Sequence, residues 1–265
     1  MQEELKDKIT GEVMKKLEDE KKKVKEGSNA CKSSSKSCGL TEFVGTAEGD
    51  TIGLVIANVD YNLHEFMKLD KRFRSIGVIG GRTGAGPQIM AADEAVKATN
   101  TEIISIELPR DTKGGAGHGS LVIFGAEDVS DARRAVEVSL KELDRTFGDV
   151  YGNEAGHLEF QYTARASYAC EKAWGATVGK SFGLTVGAPA AIGVLIADVA
   201  VKAANVDIIS YSSPAHGTSF SNEVILGITG DSGAVRQAII AAREVGMKAL
   251  GTLGAEPKST TTPYI

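Results

Sequence analysis

At 265 residues, 42% of them hydrophobic, the chain has enough apolar material for two domains of ordinary size. A net charge of −5 and a pI near 5.5 exclude a global positive field that would hold nucleic acid or an anionic membrane. Three cysteines without a CxxC pair (Cys31, Cys38, Cys170) and no apolar run of about 18 residues argue against a disulfide framework, a zinc knuckle and a membrane span, so a soluble cytoplasmic protein with no metal or cofactor is expected. In chain order, residues 1–26 hold sixteen charged side chains, yet Leu5, Ile9, Val13 and Leu17 recur every fourth residue, which predicts a helix with one narrow apolar stripe. Such a helix is either solvated or a docking element that orders on a partner's groove. GSNACKSSSKSCG (27–39) reads as a flexible linker. After the apolar stretch TIGLVIANV (51–59), a strand is predicted at RSIGVIG (74–80), a helix with Ile89, Ala92 and Val96 on one face, a strand at TEIISIEL and, past a Gly-rich loop, another at SLVIFGA. A second helix follows, with Asp128 or Ser130 as N-cap candidates. The same order then recurs: LEFQYTARA (158–166), SFGLTVG (181–187), a helix with Val194, Ala197 and Val201 on one face, VDIISYSS, a polar loop, EVILGIT, and a helix opened by Asp231 or Ser232.

The recurrence is also literal. Ala92–Ser105 and Ala197–Ser210 are identical at ten of fourteen positions at an offset of 105, and further on Asp128, Arg133 and Ala135 match Asp231, Arg236 and Ala238 at an offset of 103. This is a tandem duplication, with an N-terminal extension and linker at 1–39, domains at 40–147 and 148–256, and a Pro- and Thr-containing tail at 257–265. Strand, helix, strand, strand, helix is most of a ferredoxin-like α+β unit, and the apolar stretch before each copy predicts that the last strand has moved to the front in a circular permutation.

Most motifs of catalysis are missing. GATVGKS (175–181) is one residue short of a phosphate-binding P-loop and leads into a strand instead of a helix; GGRTGAGP, from Gly80, suits a tight strand-to-helix turn. No serine sits in a GxSxG elbow, and none of His64, His118, His157 and His216 joins a set with metal spacing. The equivalent loops LPRDTKGGAGHGS (108–120) and SSPAHGTSFSN (212–222) are longer than the two to five residues or so of an ordinary hairpin and offer polar side chains suited to binding small polar solutes. Lys97 and Lys202 stand at the same place in both copies, each near the end of an Ala- and Val-rich helix; a cation there favours the helix dipole, or serves one repeated contact.

AADEAVKATN and IADVAVKAAN, each followed by a strand, a loop and a helix start (EDVSDARRAV, GDSGAVRQAI), resemble the domain of bacterial microcompartment shell proteins, and the whole chain from about residue 38 is most similar to the tandem-domain, propanediol-utilisation type. The resemblance implies two permuted ferredoxin-like shell domains, no enzyme activity, and a homotrimeric pseudohexameric tile that joins other shell proteins in a microcompartment shell. It implies tile-edge contacts by Lys97 and Lys202 with Asn100 and Asn205, and pores for 1,2-propanediol or glycerol built from the two loops. Glu107, Arg110, Asp111 and Ser219 are the hydrogen-bonding candidates there, with His118 and His216 beside them. It further implies that the stripe Leu5, Ile9, Val13 and Leu17 anchors encapsulated enzymes such as a diol dehydratase. A ferredoxin-like small-molecule sensor is the alternative.

Overall fold

A computed structural model describes residues 39–110 and 118–265. The first sheet contains β1 (Phe43–Ala47), β2 (Thr51–Ile56), β3 (Ser75–Gly81), β4 (Glu102–Glu107) and β5 (Ser120–Ala126), in the order β1-β2-β3-β5-β4, every neighbour antiparallel. Its helices are α1 (Tyr61–Phe66), α2 (Gly86–Ala98) and α3 (Val129–Thr146). The second sheet repeats the plan with β6 (Val150–Asn153), β7 (Gly156–Thr163), β8 (Ser181–Ala188), β9 (Val206–Ser212) and β10 (Val224–Gly230), and with α4 (Tyr168–Trp174), α5 (Ala190–Ala203) and α6 (Ser232–Gly251). In each copy the strand that would come last in a ferredoxin-like unit comes early and pairs with the unit's first strand, β2 with β3 and β7 with β8. The permutation predicted from the apolar stretch before each copy is therefore present.

The cores follow from alternation. Ile79, Ile89, Val122, Phe124 and Val136 are buried together between the first sheet and its helices, and Leu158, Phe160, Ile196, Leu226 and Ile239 form the counterpart in the second copy. Each such side chain removed from water contributes about 1.5–3 kcal/mol. Gly77 of β3 and Gly183 of β8 let the second helix lie directly on the sheet: a Cβ at Gly77 would come within 2.8 Å of the Ala132 carbonyl oxygen, and one at Gly183 within 2.8 Å of Val235. The helix starts are less alike. Asp231 accepts hydrogen bonds from Gly233 and Ala234 N–H, whereas Asp128 occupies the equivalent cap without a side-chain bond.

The segment after residue 256 is more than a tail. Lys258–Ser259 forms β11, which pairs with β6, and beyond it Asp149, fully buried, accepts hydrogen bonds from Tyr264 N–H, Ile265 N–H and the Tyr151 hydroxyl while pairing with Arg243. The Arg145 guanidinium at the end of α3 lies over the Tyr264 ring at 4.8 Å. The C-terminal residues thus fasten the first copy's last helix to the second copy's sheet.

Candidate functional site

Within the chain, α2 and β4 of the first copy pack against α4 and β7 of the second. Asp93, fully buried on α2, accepts from Ser167 N–H at 2.7 Å and from the Ser167 hydroxyl, and so orders the first turn of α4 from outside its own domain. Lys97 lies 2.6 Å from the other Asp93 oxygen, 2.9 Å from Glu94, and 3.3 Å from the Thr163 hydroxyl of β7. Burial works against its ammonium, but Asp93 and Glu94 outweigh that and raise its pKa. Lys202, its repeat, has only Asp198, at 2.7 Å, among the described residues and keeps 73% of its side-chain exposure against 27% for Lys97. Asn100 and Asn205 are both exposed. The two lysines predicted as equivalent edge residues thus differ in surroundings within one chain, and Lys97 also braces the junction.

The difference is systematic. Strand pairing sets Val55 opposite Gly77 and Tyr162 opposite Gly183, so α1 and α4 correspond at an offset of 107: Asp60 with Ser167, both N-caps, and Leu63 with Cys170. Cys170 is fully buried, its Sγ 3.7 Å from Met90 Sδ; Leu63 is 46% exposed. On the receiving side Met90 and Ile103 are buried at 1% and 9%, while their repeats Leu195 and Ile208 are 43% and 57% exposed. Each end of the folded unit presents what the other end's repeat buries.

Both long loops end at this junction, beside a cavity of about 550 Å³. Arg110 lines it, with Asn153 and His157 from the second sheet and Phe220, Ser221 and Asn222 from the second loop. Glu107 is exposed at the end of β4, and Asp111 lies outside the described residues, as do Leu5, Ile9, Val13 and Leu17. His216 is exposed in a turn in which Ser213 and His216 bond each other's backbone, and Ser219 and Phe220, both with positive φ (49° and 68°), carry the chain sharply toward the cavity. His118 differs from its expected role as an open loop donor: it is buried, its Nδ1 2.9 Å from Glu223 Oε1 of the second copy.

Around that pair is a set of residues the sequence reading did not select. The His157 Nε2 lies 3.6 Å from Glu223 Oε2 and 4.0 Å from Glu159 Oε1, and Glu159 also receives the Gly86 N–H at the start of α2. A Cβ at Gly86 would come within 2.8 Å of Glu159 Oε2, so glycine is what admits the carboxyl to the helix end. Burial, then the neighbouring Glu223 carboxylate, push the Glu159 carboxyl up to about 8 against the pull of that N–H; burial holds the His157 imidazole below its usual value. In HLEFQYT, Leu158 and Phe160 alternate with Glu159 and Gln161, a pattern that reads as a solvent face. Here that face is closed by the first copy, where Gln161 donates to the Thr146 carbonyl. Among the described residues, no group of His, Cys, Asp and Glu is arranged to hold a metal ion, and no helix is long and apolar enough to cross a membrane.

The model of the BMC domain, the microcompartment shell domain, matches residues 75–154 and again 181–256. The chain belongs to this family. It is 73% identical over 230 residues, 87% of its length, to the bacterial microcompartment shell protein PduB of Citrobacter freundii, of which 85% is covered. The PduB of Limosilactobacillus reuteri is 56% identical over 85% of this chain and 95% of that relative. A crystal structure of a trimeric shell protein PduB superposes with a TM-score of 0.82 at 56% identity, over 85% of this chain and all of that one; EtuB from Clostridium kluyveri superposes with 0.83 at 57%, over 85% of this chain and 99% of that one. The BMC chain described here is accordingly a structural shell protein and no enzyme, with the tandem organisation of those relatives.

Proposed function

We propose that three copies of the chain close into a ring in which the contact between the two domains of one chain is repeated between chains, giving a pseudohexagonal shell tile. The observation that carries this is the exposure of Leu63, Leu195 and Ile208, whose repeats Cys170, Met90 and Ile103 are buried inside the chain. A head-to-tail contact of this kind is heterologous and must close to avoid a filament, and two domains per chain allow closure at three. The division into domains near residues 147 and 148 is part of this reading. Lys202 and Asn205, with Lys97 and Asn100, then lie along the tile's rim, where they would contact neighbouring tiles of the shell. The cavity at the loop ends, with Arg110 and Ser219 nearby and Glu107 at the end of β4, is the passage assigned to small polar metabolites such as 1,2-propanediol or glycerol, and the segment with Leu5, Ile9, Val13 and Leu17 is assigned to holding encapsulated enzymes. Sedimentation velocity tests the ring. The wild-type chain is expected as a trimer and Leu63→Asp as a folded monomer with unchanged circular dichroism, whereas a trimeric Leu63→Asp variant contradicts the proposed contact.

A further inference from the structure

The junction holds four titratable side chains in one enclosed place, and they join the parts that border the cavity. His118 ends the first loop and Glu223 the second; His157 and Glu159 stand two residues apart on β7, on the same face of the strand. The His157 Nε2 and the Glu223 Oε1 are both enclosed and make no aligned hydrogen bond among the described residues, although His118 Nδ1 lies 2.9 Å from that Oε1. The groups facing Glu159 are therefore His157 on its own strand, Glu223 before β10, with His118 behind it, the Gly86 N–H at the start of α2, and, on the cavity wall, Arg110 and Glu154. Two carboxyls this close and this deep resist carrying two negative charges, so their separation depends on how many protons the set holds. Among the described residues no counterpart exists in the first copy's own sheet, where Ile52 takes the place of Glu159 and Gly119 that of Glu223, since Ile52 pairs with Gly80 as Glu159 does with Val186, and Ser120 with Gly81 as Val224 does with Gly187.

We propose that His118, His157, Glu159 and Glu223 form a proton-controlled latch that ties the two loop ends together beside the cavity and loosens when the set loses a proton. The proposal rests on the reading of the cavity as a passage only for its consequence, which is that passage would widen in alkaline conditions; the latch itself stands on the junction's geometry. The direction follows from the two groups. Glu159 is raised, so its contribution to holding the junction is full below the ordinary carboxylate value of 4.5 and is lost as pH rises through about 8. His157 is lowered, so its neutral form contributes above the ordinary imidazole value of 6.5, and that contribution is lost as pH falls through the depressed value. Between these limits both groups are neutral and Glu223 keeps its tie to His118.

Hydrogen–deuterium exchange of the intact protein, followed by mass spectrometry from pH 6.5 to 9.5, reads the latch directly. The amides to follow are Gly119, bonded to the Pro109 carbonyl, with Ser221 and Glu223, bonded to Thr218 and Ser221. Corrected for the intrinsic rate, protection in both loop ends should fall together by about tenfold between pH 7 and 9, the effect of one proton lost over one pH unit above the midpoint. Glu159→Gln, which cannot ionise, should keep the neutral-pH protection throughout. His118→Asn, which places at this position the residue its repeat Asn222 carries, should give low protection at every pH while β3 stays protected. Flat wild-type protection, or a Glu159→Gln profile that still titrates, overturns the latch. Calorimetry with glycerol at pH 7 separates the two readings: titrating protection without glycerol binding leaves the latch and removes the passage, while glycerol binding with flat protection does the reverse.

Discussion

Met90 and Leu195 occupy the same turn of the same helix in two copies of one domain, yet one is sealed and the other half open to water. The same holds for Ile103 against Ile208, and in the opposite sense for Leu63 against Cys170. What differs is the neighbour and not the fold: the chain contains one finished junction and the two unfinished halves of another. A duplicated protein thus displays its own interface as the difference in burial between its repeats, and the inner copy shows what the outer one should look like once occupied.

The comparison can be broken residue by residue. The largest effect is expected from Met90→Ala and Leu195→Ala taken together as a test: truncation at Met90 leaves a cavity in the finished junction and should cost about 2–5 kcal/mol in urea unfolding. Leu195→Ala should leave unfolding of the dilute chain nearly unchanged and instead weaken the trimer. Equal losses of chain stability would erase the distinction between the two faces. Next come the lysines. Lys97→Ala strips the ammonium from a buried Asp93 and should cost about 1–3 kcal/mol as well as any tile contact, whereas Lys202→Ala should leave unfolding of the dilute chain alone, weaken the trimer at the repeated junction and abolish the extended sheets seen by electron microscopy. Sheets that persist in Lys202→Ala would remove it from the rim. The smallest effect concerns the helix starts: Asp231→Ala loses two backbone bonds and should cost about 1 kcal/mol, Asp128→Ala less, both measured by thermal unfolding.

Much of the fold was legible because the duplication wrote each element twice. Strands at 75–81 and 181–188, the Ala-rich helices, the paired loops and the early strand of the permutation all followed from periodicity and the matched segments. The site was legible only in part. The loops and lysines were found from repetition and length, but Glu159 and Glu223 were not, because alternation along β7 says only that one face is polar, and closure by another domain reverses what that polarity means. His118 was read as a loop donor since nothing near it in sequence indicates Glu223, more than a hundred residues away. The C-terminal residues carry no periodicity, and their anchoring on Asp149 depends on backbone N–H groups, which every residue but proline has.

One measurement addresses the repeated junction most directly. In the chain, Cys170 Sγ touches Met90 Sδ, so Leu63 of one copy should meet Leu195 of the next at the equivalent place. With Cys31 and Cys38 replaced by serine, the double variant Leu63→Cys, Leu195→Cys is treated with a short bismaleimide and run on a denaturing gel. The account predicts covalent trimers from the double variant and single chains from either cysteine alone. Monomers only from the double variant, or a ladder extending past three chains, would contradict a closed ring built by repeating the internal contact.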